Sequence, residues 1–227
     1  TAGADYDAGW QFARELRLAM VDEHGYQPPD WFWDNLGRFD RCDRDAAQVY
    51  LGEYAAHDVG RRSTLRSALA EAAYMTALER NGDIVRMASY APLLAKQQHT
   101  QWLPDLIYFD NTQVTPSINY YVQQLFSLNA GDAYLPADIR LGGDAQNVAC
   151  SCVQDSQSGD LILKLVSRAP HVIHVSIDLG LAGGLEPVAA CTTLRGDPLA
   201  ENLFGRPPKV LPQRGEIAVG PPLLYAI

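Results

Sequence analysis

Three apolar runs, each closing on polar or ionisable residues, constrain this chain more than any other feature. Leu18-Ala19-Met20-Val21 leads into Asp22-Glu23-His24. Val49-Tyr50-Leu51 leads into Gly52-Glu53-Tyr54, and Ile84-Val85-Arg86-Met87-Ala88 leads into Ser89-Tyr90. Their starts lie roughly 30 to 35 residues apart, about the length of one strand–helix unit in a parallel α/β fold. A polar loop and then a helical pattern follow each run. Residues 64–80 show it best: Leu65, Ala68, Leu69, Ala72, Ala73, Met75 and Leu78 fall near a 3.6-residue period. Ser63 or Thr64 caps the start, and Gly82 suits a left-handed stop after Asn81. A second helix is expected over 117–128, opened by Pro116-Ser117 with Gly131 beyond its end, and a short aromatic one over 29–37.

Alternating strands and helices with polar strand ends indicate a parallel barrel or a doubly wound sheet. No glycine-rich phosphate fingerprint follows any strand, which argues against a nucleotide-binding sheet. A complete (β/α)8 barrel needs eight units and about 250 residues, and only three strands precede residue 90. The expectation is therefore the C-terminal portion of a (β/α)8 TIM barrel. After Asn129-Ala130-Gly131 the style changes. Short apolar runs over 147–153, 161–166, 172–179 and 187–194 read as strands, and 223–227 as a closing strand. Ser158-Gly159-Asp160 marks a turn. This spacing indicates an antiparallel β-sandwich or jelly roll. The expected domains are 1–129, the barrel part, and 130–227, the sandwich.

The 227 residues suffice for two domains. A net charge of −9 argues against nucleic acid and anionic membrane surfaces as partners. No apolar run approaches bilayer-spanning length. The four cysteines, Cys42, Cys150, Cys152 and Cys191, lack the paired spacing of a zinc site and are expected to be free, buried thiols.

The strand ends bring chemistry to one rim: Asp22, Glu23, His24, Tyr26, Glu53, Ser89 and Tyr90, with Trp31, Trp33 and Trp102 in nearby loops. In β/α barrels catalytic groups sit at the C-terminal ends of strands. Paired carboxylates serve glycoside hydrolysis, one as acid and base and one as nucleophile or base. Aromatic rings pack on the apolar faces of sugars. Asp22, Glu23, His24 and His57 are metal-ligand types. Asp22 and Glu23 are neighbours on a strand and point to opposite faces, so no metal is expected, and no other cofactor. Ser89 lacks the elbow of a serine nucleophile.

Several segments, in order, resemble glycoside hydrolase family 51. Residues 21–26 (V-D-E-H-G-Y) with 29–32 (P-D-W-F) resemble its D-E-H-Y-Y and P-x-W-F segments. Residues 51–55 (L-G-E-Y-A) are similar to its nucleophile motif, and 70–75 with 78–81 to its A-E-A-x-x-M and L-E-R-N helix. Residues 87–93 (M-A-S-Y-A-P-L), 102–107 and 120–126 continue the match. Residues 163–166 and 201–204 are similar to its sandwich domain more weakly. The resemblance implies a retaining α-L-arabinofuranosidase built as a barrel followed by a jelly roll, acting on arabinose-containing plant polysaccharide or oligosaccharide. It implies Glu53 as the catalytic nucleophile, with His24, Tyr26 and Trp102 binding substrate. Two departures stand out. Gly25 replaces the first tyrosine of the family segment, which is expected to widen the subsite. The family's acid/base glutamate follows an asparagine in an upstream strand, and no such segment precedes Ala19. An upstream segment or an N-terminal companion chain is expected to supply it. Two other readings stay open: an endo-β-glucanase or xylanase on the same fold, and a non-catalytic carbohydrate-binding fragment with exposed strand edges. An extracellular location is slightly favoured because plant polymers are often degraded outside cells.

Overall fold

The structure, a computed structural model, describes residues 6–137, 145–179 and 184–227. It opens with helix α1 (Tyr6–Leu16), which sequence periodicity did not single out, and strand β1 (Met20–Gln27). Short helix α2 (Pro29–Asp34), strand β2 (Gln48–Ala56), helix α3 (Leu65–Arg80) and strand β3 (Val85–Tyr90) follow. The three strands form one parallel sheet in the order β1-β2-β3, as the apolar runs require. Each strand runs further than its apolar run. Asp22, His24 and Glu53 therefore lie within strands rather than just beyond them.

A small mixed sheet comes next, built from β4 (Leu94–Lys96), β5 (Ile107–Phe109) and β6 (Val114–Pro116). Three-residue strands carry too little periodicity to be read from sequence. Helix α4 (Ile118–Leu128) is capped by Ser117, whose side chain accepts from the Tyr120 amide. Gly131 beyond it adopts φ +63°. Strands β7 (Ala133–Leu135), β8 (Val148–Gln154) and β9 (Leu161–Ser167) make an antiparallel sheet. Two antiparallel pairs complete the described residues. One joins β10 (His174–Ile177) to β13 (Leu223–Ala226), the other β11 (Val188–Thr193) to β12 (Gln213–Ala218). β12 escaped sequence reading because Gln213, Arg214, Gly215 and Glu216 are all exposed, with no buried face to show period two.

Helix α3 is the central strut. Its apolar residues are buried nearly all round, and alanines at 68, 70, 72, 73 and 77 let neighbours approach closely. On one side it meets Phe32, Phe39 and the parallel sheet, where Phe32 packs edge-on against Tyr74 at 5.1 Å between ring centroids. Rings of this size, fully buried, each contribute about 1.5–3 kcal/mol. On the other side it meets β8 and β9. The Leu65 and Arg66 amides, orphan donors of its first turn, donate to the Ala200 and Pro198 carbonyls at 3.0 and 2.8 Å. Thr64 caps the same turn, accepting from the Ser67 amide, while buried Asp58 pairs with Arg66 and accepts from Thr64. Burial acts to raise the Asp58 carboxyl, but Arg66, Thr64 and the Val59 amide outweigh it and hold it low. At the far end Glu79 accepts from Lys164 of β9 and Ser151 of β8.

Two expectations need correcting here. Gly82 does not adopt a left-handed conformation. Asn81 ends the helix instead, its side chain folding back to donate to the Ala77 carbonyl at 2.9 Å. The cysteines are half-buried rather than buried, and none forms a disulfide.

Candidate active site

Strand β1 sorts its side chains by parity. Val21, Glu23 and Gly25 are buried on one face, and Asp22, His24 and Tyr26 occupy the other. β2 meets it in parallel, pairing Asp22 with Tyr50 and Glu23 with Leu51, but His24 with Glu53. Gly52 is thus an extra residue on β2, a bulge. The bulge decides the site. In an unbroken register Gly52 would face His24, and Glu53 would turn to the opposite side with Glu23 and Gly25. With it, Glu53 joins Asp22, His24 and Tyr26. Glycine is required there, because a Cβ on Gly52 would overlap Asp22 Oδ1 and lie 3.0 Å from its Cγ. Ser89 of β3 donates to the Gly52 carbonyl at 2.6 Å and is 2.9 Å from the Tyr50 hydroxyl, tying down the bulge.

The Tyr26 hydroxyl donates to Glu53 Oε2 at 2.6 Å, and His24 Nδ1 lies 3.2 Å from the same oxygen. His24 Nε2 lies 3.2 Å from Asp22 Oδ2. Oε1 of Glu53 accepts no hydrogen bond among the described residues, and the side chain is 40% exposed. Burial, the hydrogen bond to Glu53 and its negative charge all push the Tyr26 phenol well above its ordinary range, so it stays a donor. The Tyr26 ring leans on His57 at 5.4 Å, whose Nε2 is buried without a hydrogen bond. Burial first, and then Arg61, lower the His57 pKa, which favours the neutral ring.

Below β2, Glu71 of α3 anchors the strand end. It is fully buried and accepts from the Ala56 amide at 2.8 Å. Loss of water raises its pKa to about 8, against the lowering effect of that amide and of Asn119 and Gln123.

Of the residues expected at the rim, Glu53, His24, Tyr26 and Asp22 converge and Ser89 braces them. Glu23 does not join them. It faces the helices, where Arg38 grips it with bonds of 2.8 and 3.1 Å and Trp10 donates to it at 2.6 Å. Tyr90 faces away as well, its ring edge-on to Tyr54 at 5.9 Å. Trp33 is core, and Trp31 lies against it, stacked on Tyr6. Trp102, between β4 and β5, is 64% exposed, and its indole has no hydrogen bond or ring contact with the Glu53 group. Gly25 lies on the helix face, where a Cβ would meet the Tyr6 hydroxyl at 3.1 Å. It therefore does not widen the space beside Glu53. Sequence reading missed the role of Gly52, though a glycine directly before a strand carboxylate was the available signal.

Comparison with known proteins adds a lineage to this geometry. Residues 44–221 match the family model described as the alpha-L-arabinofuranosidase C-terminal domain. An extracellular exo-alpha-L-arabinofuranosidase of Streptomyces chartreusis is 47% identical over 136 residues, covering 60% of this chain and 16% of that protein. A probable alpha-L-arabinofuranosidase A of Aspergillus terreus is 36% identical over 175 residues, covering 76% of this chain and 27% of that protein. Among solved structures, the arabinose-bound α-L-arabinofuranosidase MgGH51 superposes with a TM-score of 0.83 at 32% identity, over 90% of this chain and 35% of that one. The chain thus spans only about a sixth to a third of the length of these relatives.

Proposed function

Because the chain belongs to the α-L-arabinofuranosidase C-terminal domain family, as the C-terminal part of a family 51 enzyme, we propose that it carries the nucleophile half of a retaining α-L-arabinofuranosidase site. Residues 1–129 are then the C-terminal part of the (β/α)8 barrel, and 130–227 the jelly-roll domain. The observation that carries the reading is the convergence of Tyr26 Oη and His24 Nδ1 on one oxygen of Glu53.

The Tyr26 hydroxyl donating to Oε2 and the His24 ring beside the same oxygen fix the rotation of the carboxylate. They leave Oε1 as the attacking oxygen. Attack on the anomeric carbon breaks the glycosidic bond as the leaving oxygen takes a proton from the acid/base glutamate. An arabinosyl ester forms on Glu53, and water, deprotonated by the same acid/base residue, resolves it with net retention. Glu23 is not that partner, since Arg38 and Trp10 occupy it on the far face. The acid/base group comes from an upstream segment or companion chain that completes the barrel. Exposed Trp102 offers a ring face to a sugar.

The substrates of this reading are arabinose-bearing polysaccharides or oligosaccharides, and the named location of the Streptomyces relative favours an extracellular setting. An endo-acting reading would need a longer cleft, from Gly25 and the tryptophan-rich loop, and Gly25 lies on the other face of β1. The test is hydrolysis of an aryl α-L-arabinofuranoside by the complete enzyme and its Glu53→Gln variant. Turnover should fall by several orders of magnitude with the fold intact. Turnover like wild type in Glu53→Gln would remove Glu53 from the mechanism.

A further inference from the structure

Strand β2 loses its regular ladder where Glu53 stands. Against β1 the register shifts between Glu23 and His24, and against β3 it shifts between Leu51 and Tyr54. Three steps along β2, from Leu51 to Tyr54, match two along β3, from Ala88 to Tyr90. A strand irregular on both flanks has lost the pairing that would stop it slipping. A slip of one residue turns every later side chain to the other face.

Two contacts from the helices grip β2 just beyond that point. The hydroxyl of buried Tyr54 donates to Gln123 Oε1 of α4 at 2.8 Å. The Ala56 amide donates to Glu71 Oε1 of α3, also at 2.8 Å. They hold β2 one and three residues past Glu53. The anchors are tied to each other one turn earlier, where Asn119 of α4 donates to Ser67 of α3 at 3.2 Å. Glu71, Asn119 and Ser67 are all fully buried. Apolar side chains would fill this layer without the cost of taking polar groups out of water. What the polar contacts add is direction. A hydrogen bond made at one register is lost at the next, whereas apolar packing tolerates a slide. We propose that Glu71 and Gln123 are positioning residues for Glu53: from below the sheet they hold Ala56 and Tyr54, and so set the register in which β2 presents the carboxylate to Tyr26 and His24. This rests on the reading of Glu53 as nucleophile.

The test compares the kinetics and crystal structures of the complete enzyme with those of Glu71→Leu and Gln123→Leu, which keep bulk and lose the acceptor. Each should lower kcat roughly 10- to 100-fold with KM within about threefold of wild type, as misplacement of a reacting group predicts. Their structures should show Glu53 displaced and its bond to Tyr26 lost. Glu71→Gln keeps an acceptor for the Ala56 amide and should bring kcat back to within about threefold of wild type. Tyr54→Phe removes only the hydroxyl and leaves the ring in the core. It should lower kcat and shift Glu53 in the same way, and it decides the matter if neither leucine variant folds. Folded variants with wild-type kcat and Glu53 still against Tyr26 and His24 would overturn the proposal, even with a lowered unfolding midpoint, because that is what a role in stability alone produces. A Glu71→Gln enzyme as impaired as Glu71→Leu would overturn it too. Failure of the arabinofuranosidase reading looks different: wild type would not release the aryl group, while the position of Glu53 in the variant structures would still support or overturn the anchoring.

Discussion

Asp22 fills the space that a side chain at position 52 would need, so Gly52 and Asp22 are a matched pair on neighbouring strands. Gly52→Ala should therefore misplace Asp22, strain the bulge and cost about 1–3 kcal/mol, as overpacking does. Because Glu53 is the next residue, turnover should fall further than stability alone accounts for. Adding Asp22→Ala should recover part of the stability, and a double-mutant cycle with urea unfolding measures that recovery. Additive costs would show that the two residues do not compete for the same space.

Removing the Tyr26 hydroxyl takes away the hydroxyl donor to Glu53 Oε2 and leaves the His24 ring beside that oxygen. A hydrogen bond to a charged group contributes about 1.5–3 kcal/mol, which corresponds to roughly 10- to 100-fold in rate. Tyr26→Phe should lose about that much kcat, less than Glu53→Gln. Steady-state kinetics on an aryl arabinofuranoside would decide, and equal losses in the two variants would contradict the assigned roles.

Glu71 makes stability depend on pH in an unusual direction. Its carboxyl is raised from 4.5 to about 8 in the fold, chiefly by burial. Over that window the folded state keeps a proton that the unfolded chain has released. Stability should therefore fall as pH rises from about 4.5 towards 8, each unit of separation being worth about 1.4 kcal/mol. Glu71→Gln keeps an acceptor for the Ala56 amide and cannot ionise. It should flatten this slope and exceed wild type in stability above pH 8. Urea midpoints across pH give the comparison, and parallel curves would show that Glu71 does not titrate between the two states.

Glu79 joins the parallel sheet's central helix to the later antiparallel strands through Lys164 and Ser151. Its side chain is 17% exposed and that of Lys164 10%. Breaking such a pair from one side leaves a charge poorly solvated, so Lys164→Met should cost about 3 kcal/mol. Glu79→Gln combined with Lys164→Met should cost less than Lys164→Met alone. Thermal unfolding of the single and double variants reads this directly, and a double variant less stable than Lys164→Met would refute it.

The strand–helix alternation was legible because three apolar runs and the Leu65-to-Leu78 period are local signals. So were the Thr64 and Ser117 caps, whose chemistry acts over three residues. What escaped depends on pairing. The parity of Glu53 is set by a bulge against β1, not by its own neighbours in sequence. Glu23 looked available until Arg38, fifteen residues later, closed on it from the helix side. Tyr90 escaped for the same reason: nearness to a strand end says nothing about which face a residue takes. Helix α1 escaped because its buried side is sparse, with Gly9 and Ala13 where larger apolar residues would mark a face.

The bonds from the Leu65 and Arg66 amides to the carbonyls of Ala200 and Pro198 bear on how such a chain can be recombined. The helix that follows the Glu53 strand begins on a ledge built by sequence some 130 residues later. Swapping everything after residue 130 for another accessory module would remove that ledge and leave donors facing nothing, however well the new module folded alone. An exchange that respects this architecture keeps the 198–200 turn with its host and grafts new sequence onto the exposed strand ends.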